Sequence, residues 1–398
     1  MRTARKRCAR RHVLPAAGLM LALSAVANAN DYGLLGDWPT TWKSGNGYEV
    51  SVLGLFQYDT NHFSGDTWNA ATGTPLFENA DDWRRTELDL SLKMPFGLEL
   101  RAGYDWQNTW TDNYLKYSSD RLGSFRLGQF KTPVGWDGIE SANAQTFLEP
   151  SLPGSAVFEG RRLGADWTFT GVDHWRFTAA ALMGGNLDGE HKGDGLAGRM
   201  VFEPVNTPTR VLHLALAASR TWPDDHALSI GAKPEAALTP TRLVRTGTLI
   251  DTDAVDRAGL ELGWMRGPFH MQAEYLAIRA RRTTAQPDFT GRGFYVLGAW
   301  MLTGESRGYK DGNFTNTQPT RPWGALELAA RYSELDLADG SIRGGRQHDW
   351  TIGANWYLGR HFKLQANYIQ AHATDSPANQ YLSPIDPRIF EMRAQIYF

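Results

Sequence analysis

The chain is expected to be all-β: a transmembrane antiparallel β-barrel of about sixteen strands. Three observations predict it. The last residues alternate strictly, with Phe390, Met392, Ala394, Ile396 and Phe398 on one face and Glu391, Arg393, Gln395 and Tyr397 on the other. Successive strand side chains point to opposite faces, so this segment has an apolar side and a wetted side. Segments with the same rhythm recur along the whole chain. Third, the N-terminus carries an export signature, yet no later run approaches the roughly 18 consecutive apolar residues of a spanning helix. An exported chain without such helices crosses a bilayer only as a closed barrel, because hydrocarbon satisfies no backbone N–H or C=O.

Residues 1–29 read as a signal peptide. Arg2, Arg5, Lys6, Arg7, Arg10 and Arg11 form a basic start, Val13 to Val26 is apolar, and Ala27-Asn28-Ala29 is a small-x-small cleavage site. Residues 30–47 are expected as an N-terminal periplasmic segment and 48–398 as the barrel domain. The one cysteine, Cys8, leaves with the signal, so no disulfide or thiolate site is expected. Taking six basic and no acidic residues from 41 and 43 leaves 35 against 43, a formal charge of −8. That balance argues against a nucleic-acid partner.

In order, the expected strands are 49–59, 83–93, 98–107, 112–118, 123–131, 161–170, 175–183 and 195–203. The second half adds 210–220, 256–266, 269–279, 292–303, 323–337, 349–357, 362–371 and 388–398. In the second, Leu88, Leu90 and Leu92 oppose Glu87, Asp89, Ser91 and Lys93. After the turn at Met94–Gly97, Leu98, Leu100, Ala102, Tyr104 and Trp106 oppose Glu99, Arg101, Gly103 and Asp105. Trp175, Phe177, Ala179, Ala181 and Met183 face away from Arg176 and Thr178. Gly267-Pro268 turns a strand bearing Leu260, Leu262 and Trp264 into one bearing Met271, Ala273 and Tyr275. Long connections at 60–82, 132–160, 184–194, 221–255, 280–291, 338–348 and 372–387 alternate with short ones, as in outer-membrane barrels. The stretch 304–322 is long yet falls on the short-turn side. Trp42, Trp106, Trp110, Trp264, Trp300, Trp323 and Trp356 are expected in interfacial belts.

Around the fifth and sixth strands stand Arg126-Leu127-Gly128-Gln129-Phe130-Lys131-Thr132-Pro133, then Thr146-Phe147-Leu148-Glu149-Pro150-Ser151-Leu152-Pro153, then Gly160-Arg161-Arg162-Leu163-Gly164. Gly259-Leu260-Glu261-Leu262, Leu302-Thr303-Gly304-Glu305-Ser306-Arg307 and Asp349-Trp350-Thr351-Ile352-Gly353 follow in order. Together these resemble the phosphate-selective porin O/P family of Gram-negative bacteria. The resemblance implies a trimeric sixteen-stranded porin in the cell outer membrane, among outer-membrane lipid and lipopolysaccharide. It also implies that the third long loop, here 132–160, narrows the lumen, and that lysines and a ladder of arginines pass anions such as phosphate.

Alternation puts Arg85, Arg101, Arg126, Arg162, Arg176, Arg331, Lys363 and Arg393 toward the lumen, with Lys131 where a strand becomes loop and Arg161 at the rim. These are the expected pore-lining basic residues, Arg161 apart. The same faces carry Glu87, Asp89, Glu99, Asp105, Glu261, Glu274, Glu327 and Glu391, a mixed wall rather than a ladder of one sign. Residues 132–160 hold no Lys or Arg but do hold Asp137, Glu140 and Glu149. Asp137 and Glu140 are constriction candidates; Glu149 is weighed toward bonding the loop's own backbone. No catalytic, metal or cofactor site is expected: His213 and His270 lie on strands, without a His-Glu-x-x-His or Gly-x-Ser-x-Gly motif beside them. Two readings stay open, a channel for passive diffusion of small hydrophilic solutes and an occluded barrel acting as a structural or adhesive surface protein.

Overall fold

The computed structural model describes residues 35–283 and 286–398; the expected signal peptide lies outside them. Sixteen antiparallel strands close on themselves. They are β1 Glu49–Gly65, β2 Ala80–Met94, β3 Leu98–Asp105, β4 Asn113–Ser119, β5 Gly123–Lys131, β6 Arg161–Phe169, β7 Trp175–Met183 and β8 Asp194–Thr207. Then follow β9 Arg210–Trp222, β10 Thr252–Arg266, β11 Phe269–Arg282, β12 Phe289–Met301, β13 Ala325–Asp339, β14 Ile342–Leu358, β15 Phe362–Thr374 and β16 Pro387–Tyr397. Each pairs with its chain neighbours, and β1 pairs with β16 from Leu55↔Tyr397 to Gly65↔Pro387. Closure leaves no edge whose backbone groups would face lipid.

All sixteen expected strands are present. Several run further than alternation suggested. A loop was expected at 338–348, but β13 and β14 stay paired up to Asp339↔Ile342 and turn at Gly340, whose φ is +56°. The upper parts of these strands carry Asp336, Arg346 and two glycines, so the two-residue rhythm fades where lipid no longer selects for it.

The outer face carries the apolar positions. Leu88, Leu90, Leu127, Leu196, Leu216, Leu260, Ile352 and Met392 are exposed there. On the seam between first and last strands, the Phe398 ring lies against Gly54, where an added Cβ would overlap the ring. Of the expected N-terminal segment, Thr41–Lys43 adds three residues beside β1 below the end of β16. Trp38 stacks on His361 at 4.4 Å and lies 5.5 Å from the Phe398 ring.

The lumen is filled by three in-folded segments, where the sequence suggested one. Loop 132–160 enters with two short helices, α1 Trp136–Ile139 and α2 Leu152–Val157. From the same end, the connection between β9 and β10 sends in a hairpin of Leu228–Ala232 and Val244–Leu249. Its Ile230, Ala232, Val244 and Leu249 pack with Leu152 and Val157 against inward-facing Leu276, Ile278, Phe289, Leu335 and Leu337. The inner wall is therefore apolar near this end, on both sides of the sheet. From the opposite end, residues 302–324 fold up as a hairpin of Gly308–Lys310 and Asn313–Thr315. Its Phe314 packs beside Trp136, with ring centroids 5.9 Å apart.

Candidate functional site

The site is the lumenal wall together with the loop it holds. The loop's backbone is irregular, so its carbonyls need donors from elsewhere. The wall supplies them. Lys131 Nζ donates to the carbonyls of Gly138 (2.9 Å), Ile139 (3.2 Å) and Glu140 (2.7 Å). Gln395 reaches Asn143 at 3.0 Å, Lys363 reaches Gln145 at 2.6 Å, and Asn355 reaches Thr146 at 2.8 Å. Arg393 donates to Leu148 at 2.6 Å and Arg331 to Glu149 at 3.0 Å. Arg307, from the in-folded segment, bonds the Ala144 carbonyl and the Thr146 hydroxyl. Four of the expected pore-lining residues, Lys131, Lys363, Arg331 and Arg393, thus serve as loop anchors.

Arg393 also forms a fork with Asp59, both bonds 2.7 Å, and bonds Glu149 at 2.8 Å. Arg84 grips the same Glu149 through Nε at 2.9 Å and Nη2 at 3.0 Å. Burial pushes the Glu149 carboxyl up, but the Arg84 and Arg393 guanidiniums outweigh it and hold it well below the usual carboxylate range. Arg84 was not expected here. Register runs Gln57↔Arg85, then Tyr58↔Trp83, so Arg84 is the extra residue of a β-bulge and turns inward beside Arg85. A doublet of like charge that interrupts the alternation was the signal available in the sequence.

Asp137 and Glu140 are both buried against the wall. Asp137 Oδ2 accepts from the Ser151 N–H at 2.6 Å and lies 3.9 Å from Arg331 Nη1. Burial raises its pKa against the pull of Arg331. Glu140 sits 3.7 Å from Arg307, and burial pushes its carboxyl up to about 8 despite that guanidinium. The Trp136 ring stacks on His213 at 4.2 Å, and the Trp136 backbone N–H donates to Glu274 Oε1 at 2.7 Å. The His213 ring contacts Tyr309 Oη (2.6 Å) and Glu261 Oε2 (3.1 Å). Among the described residues, neither His213 nor His270 bonds a serine hydroxyl, and no group of three or more His, Asp and Glu has metal-site geometry.

The remaining basic residues divide by partner. Arg101 pairs with Asp89, Arg126 with Asp166, Arg162 with Glu159 and Arg176 with Asp311. Arg162 is fully buried and also bonds the Gly193 carbonyl. Arg331 has Glu235 at 2.7 Å, a residue of the in-folded β9–β10 connection that the sequence did not single out. Among the described residues, Arg85, Lys131 and Lys363 have no carboxylate within 4 Å, the salt-bridge limit; Arg85 bonds Gln57 Oε1 at 2.6 Å. Arg161, placed at the rim, bonds Asp112 at 2.7 Å and lies within electrostatic range of Glu87 and Asp89.

Exposure separates two sectors. Arg101, Arg126 and Arg161 keep 27%, 27% and 26% of their side-chain surface open, and Arg85, Glu87 and Lys131 are half-buried. Arg331 keeps 2% and Arg393 and Lys363 none, and most inward residues from β8 to β16 are buried. Water therefore reaches the lumen along β2–β6.

A closed sixteen-stranded barrel with an apolar exterior, a charged interior and an inward loop defines a porin-type outer-membrane barrel. The chain belongs to the phosphate-selective porin O and P family, which it matches over residues 52–398. It is 30% identical over 298 residues to an uncharacterized protein of Caulobacter vibrioides, covering 67% of this chain and 58% of that protein. It is 28% identical over 215 residues to porin O of Pseudomonas aeruginosa, covering 46% and 48%. The chain thus spans about half the length of the curated relatives it matches. The anion-selective porin from Comamonas acidovorans shares the fold, with a TM-score of 0.57 at 12% identity, covering 88% of this chain and 100% of that one. Family and barrel together support an outer-membrane location.

Proposed function

We propose that the chain forms a water-filled channel for passive diffusion of small hydrophilic solutes, with a preference for anions such as phosphate. The path runs between the β2–β6 wall and loop 132–160. One observation carries this reading: Arg85 is a half-open guanidinium on that wall, held by the neutral Gln57 oxygen and, among the described residues, by no loop carbonyl. Guanidinium and ammonium groups without carboxylates lower the barrier for an anion that has shed water. The paired Arg101 and Arg126 contribute little net field, so the preference is expected to be weak. The family's name, phosphate-selective, agrees with the sign of that preference.

Planar-bilayer recording tests it. Discrete conductance steps are expected, with a zero-current potential in a KCl gradient of the anion-selective sign and a conductance that falls when phosphate is added. Cation selectivity overturns the anion assignment. The filled β8–β16 half favours a second reading, an occluded barrel with a structural or adhesive role, and silence in the bilayer would establish it instead. A homotrimer is part of the proposal and is checked by mass in detergent solution.

A further inference from the structure

We propose that His348 and His372, paired on the outer face at the long-loop end, form a binding site for a late divalent transition-metal ion such as Cu²⁺ or Ni²⁺. Four neighbouring segments each place one polar side chain at this level. Register sets Glu334 of β13 opposite His348 of β14, and His348 opposite His372 of β15. The bridge Ala373↔Ile385 then brings Asp386, just before β16, beside His372. The two histidines and Glu334 leave the sheet on the side of the exposed Trp350 and Tyr368, just beyond those lipid-facing residues.

The two imidazole rings lie 4.8 Å apart, centroid to centroid, with planes 38° from parallel. Directly opposed strand residues hold their Cβ atoms about 4.5–5.5 Å apart. Two imidazoles so placed can meet one ion at about 2.0–2.1 Å from a nitrogen of each. One ring is already fixed for that role. His372 Nδ1 donates to Asp386 Oδ1, which leaves Nε2 without a proton and holds the ring in place. Among the described residues, no hydrogen bond occupies His372 Nε2 or either ring nitrogen of His348. Glu334 is taken by the Tyr332 hydroxyl at 2.7 Å. No third His, Asp or Glu of the described residues completes a ligand set with the pair, so water fills the remaining positions. Histidines serving only as interfacial aromatics would need no carboxylate partner. Imidazole suits Cu²⁺, Ni²⁺ and Zn²⁺, whereas Mg²⁺ and Ca²⁺ take oxygen ligands. The His372 side chain keeps 35% of its surface open, so an ion reaches it from water.

The test dialyses the full chain in detergent, without a histidine tag, against Cu²⁺, Ni²⁺, Zn²⁺, Mg²⁺ and Ca²⁺ in turn. One Cu²⁺ per chain should be retained, more tightly than Ni²⁺ or Zn²⁺, with Mg²⁺ and Ca²⁺ lost. Electron paramagnetic resonance of the Cu²⁺ form should show coupling to two nitrogens. Asp386→Asn should weaken retention by about tenfold, the low end for a residue that orients a ligand, and His348→Ala or His372→Ala by more. His226→Ala, at an exposed histidine paired with Asp253 on another loop, should change nothing. The spectrum is read on the unaltered chain, so the site stays testable even where a variant folds poorly. Coupling to fewer than two nitrogens, retention that survives both histidine replacements, or equal retention of Ca²⁺ would each overturn the proposal. The conductance reading is independent of it, so either idea can fail alone.

Discussion

The wall of β2–β6 and the wall of β8–β16 have the same secondary structure and both carry inward charges, yet they do opposite things. Along β2–β6 part of the inward side chains meets water: Arg101, Arg126 and Arg161 stay about one-quarter open, while Asp89, Gln129 and Arg162 are buried. Along β8–β16 they meet three in-folded segments and almost all are buried. The difference teaches that an inward charge in this barrel is a pore residue only where nothing has folded onto it. Elsewhere the same charge is a donor to loop carbonyls, as with Lys363 and Arg331.

Breaking the filled wall should have the largest effect. Arg307→Met removes the donor to Ala144 and Thr146 and leaves Glu327, at 3.5 Å, buried without that cation. A loss of about 3–5 kcal/mol is expected, read by denaturation in detergent, with larger and noisier conductance as loop 132–160 loosens. Unchanged stability would deny Arg307 its place between the loop and the wall.

Next comes the anchor at the boundary of the two walls. Glu149→Gln leaves Arg84 and Arg393 facing a neutral amide, and Asp59 keeps Arg393 in place. The cost should be about 2–3 kcal/mol, the scale of hydrogen bonds to charged groups. The Arg84 side, which among the described residues has Glu149 as its one carboxylate within 4 Å, should loosen first. A cycle with Arg84→Met measures their coupling; additivity of the two losses would show that they act separately.

On the open wall, Arg85→Glu should shift the zero-current potential toward cations by about the value of one fixed charge near the path, with little change in stability. A variant that keeps the wild-type potential would move the path away from Arg85.

pH sharpens the same contrast. Glu140 has its carboxyl raised to about 8 by burial, so the folded state holds a proton that the unfolded chain has lost. Its contribution to stability is full below the ordinary glutamate pKa of about 4.3 and is lost as pH rises toward 8. Loop docking should therefore weaken across that window, seen as growing current noise, and Glu140→Gln should flatten the dependence. The smallest effect is expected from Lys93→Ala. That ammonium bonds Glu49 at 2.7 Å at an exposed site, where removal should cost less than about 1 kcal/mol.

The amino-acid sequence by itself determined the number of strands, their order, and which side of each faces lipid. Lipid selects apolar side chains at every second position, so Leu88, Leu90 and Leu92 announce their wall without reference to any other residue. The inward course of loop 132–160 was implied only by the resemblance of its residues to the porin family. What only the tertiary structure decided is which inward charges are free. The bulge at Arg84 breaks the parity on which sequence reasoning relies, and Lys131 at a strand end has no parity to read. Glu235 and Arg307 come from connections whose path into the lumen depends on apolar contacts made by Ile230, Val244 and Phe314 with distant strands. Period two reports which side of the sheet a side chain leaves, and it carries no information about what meets it there.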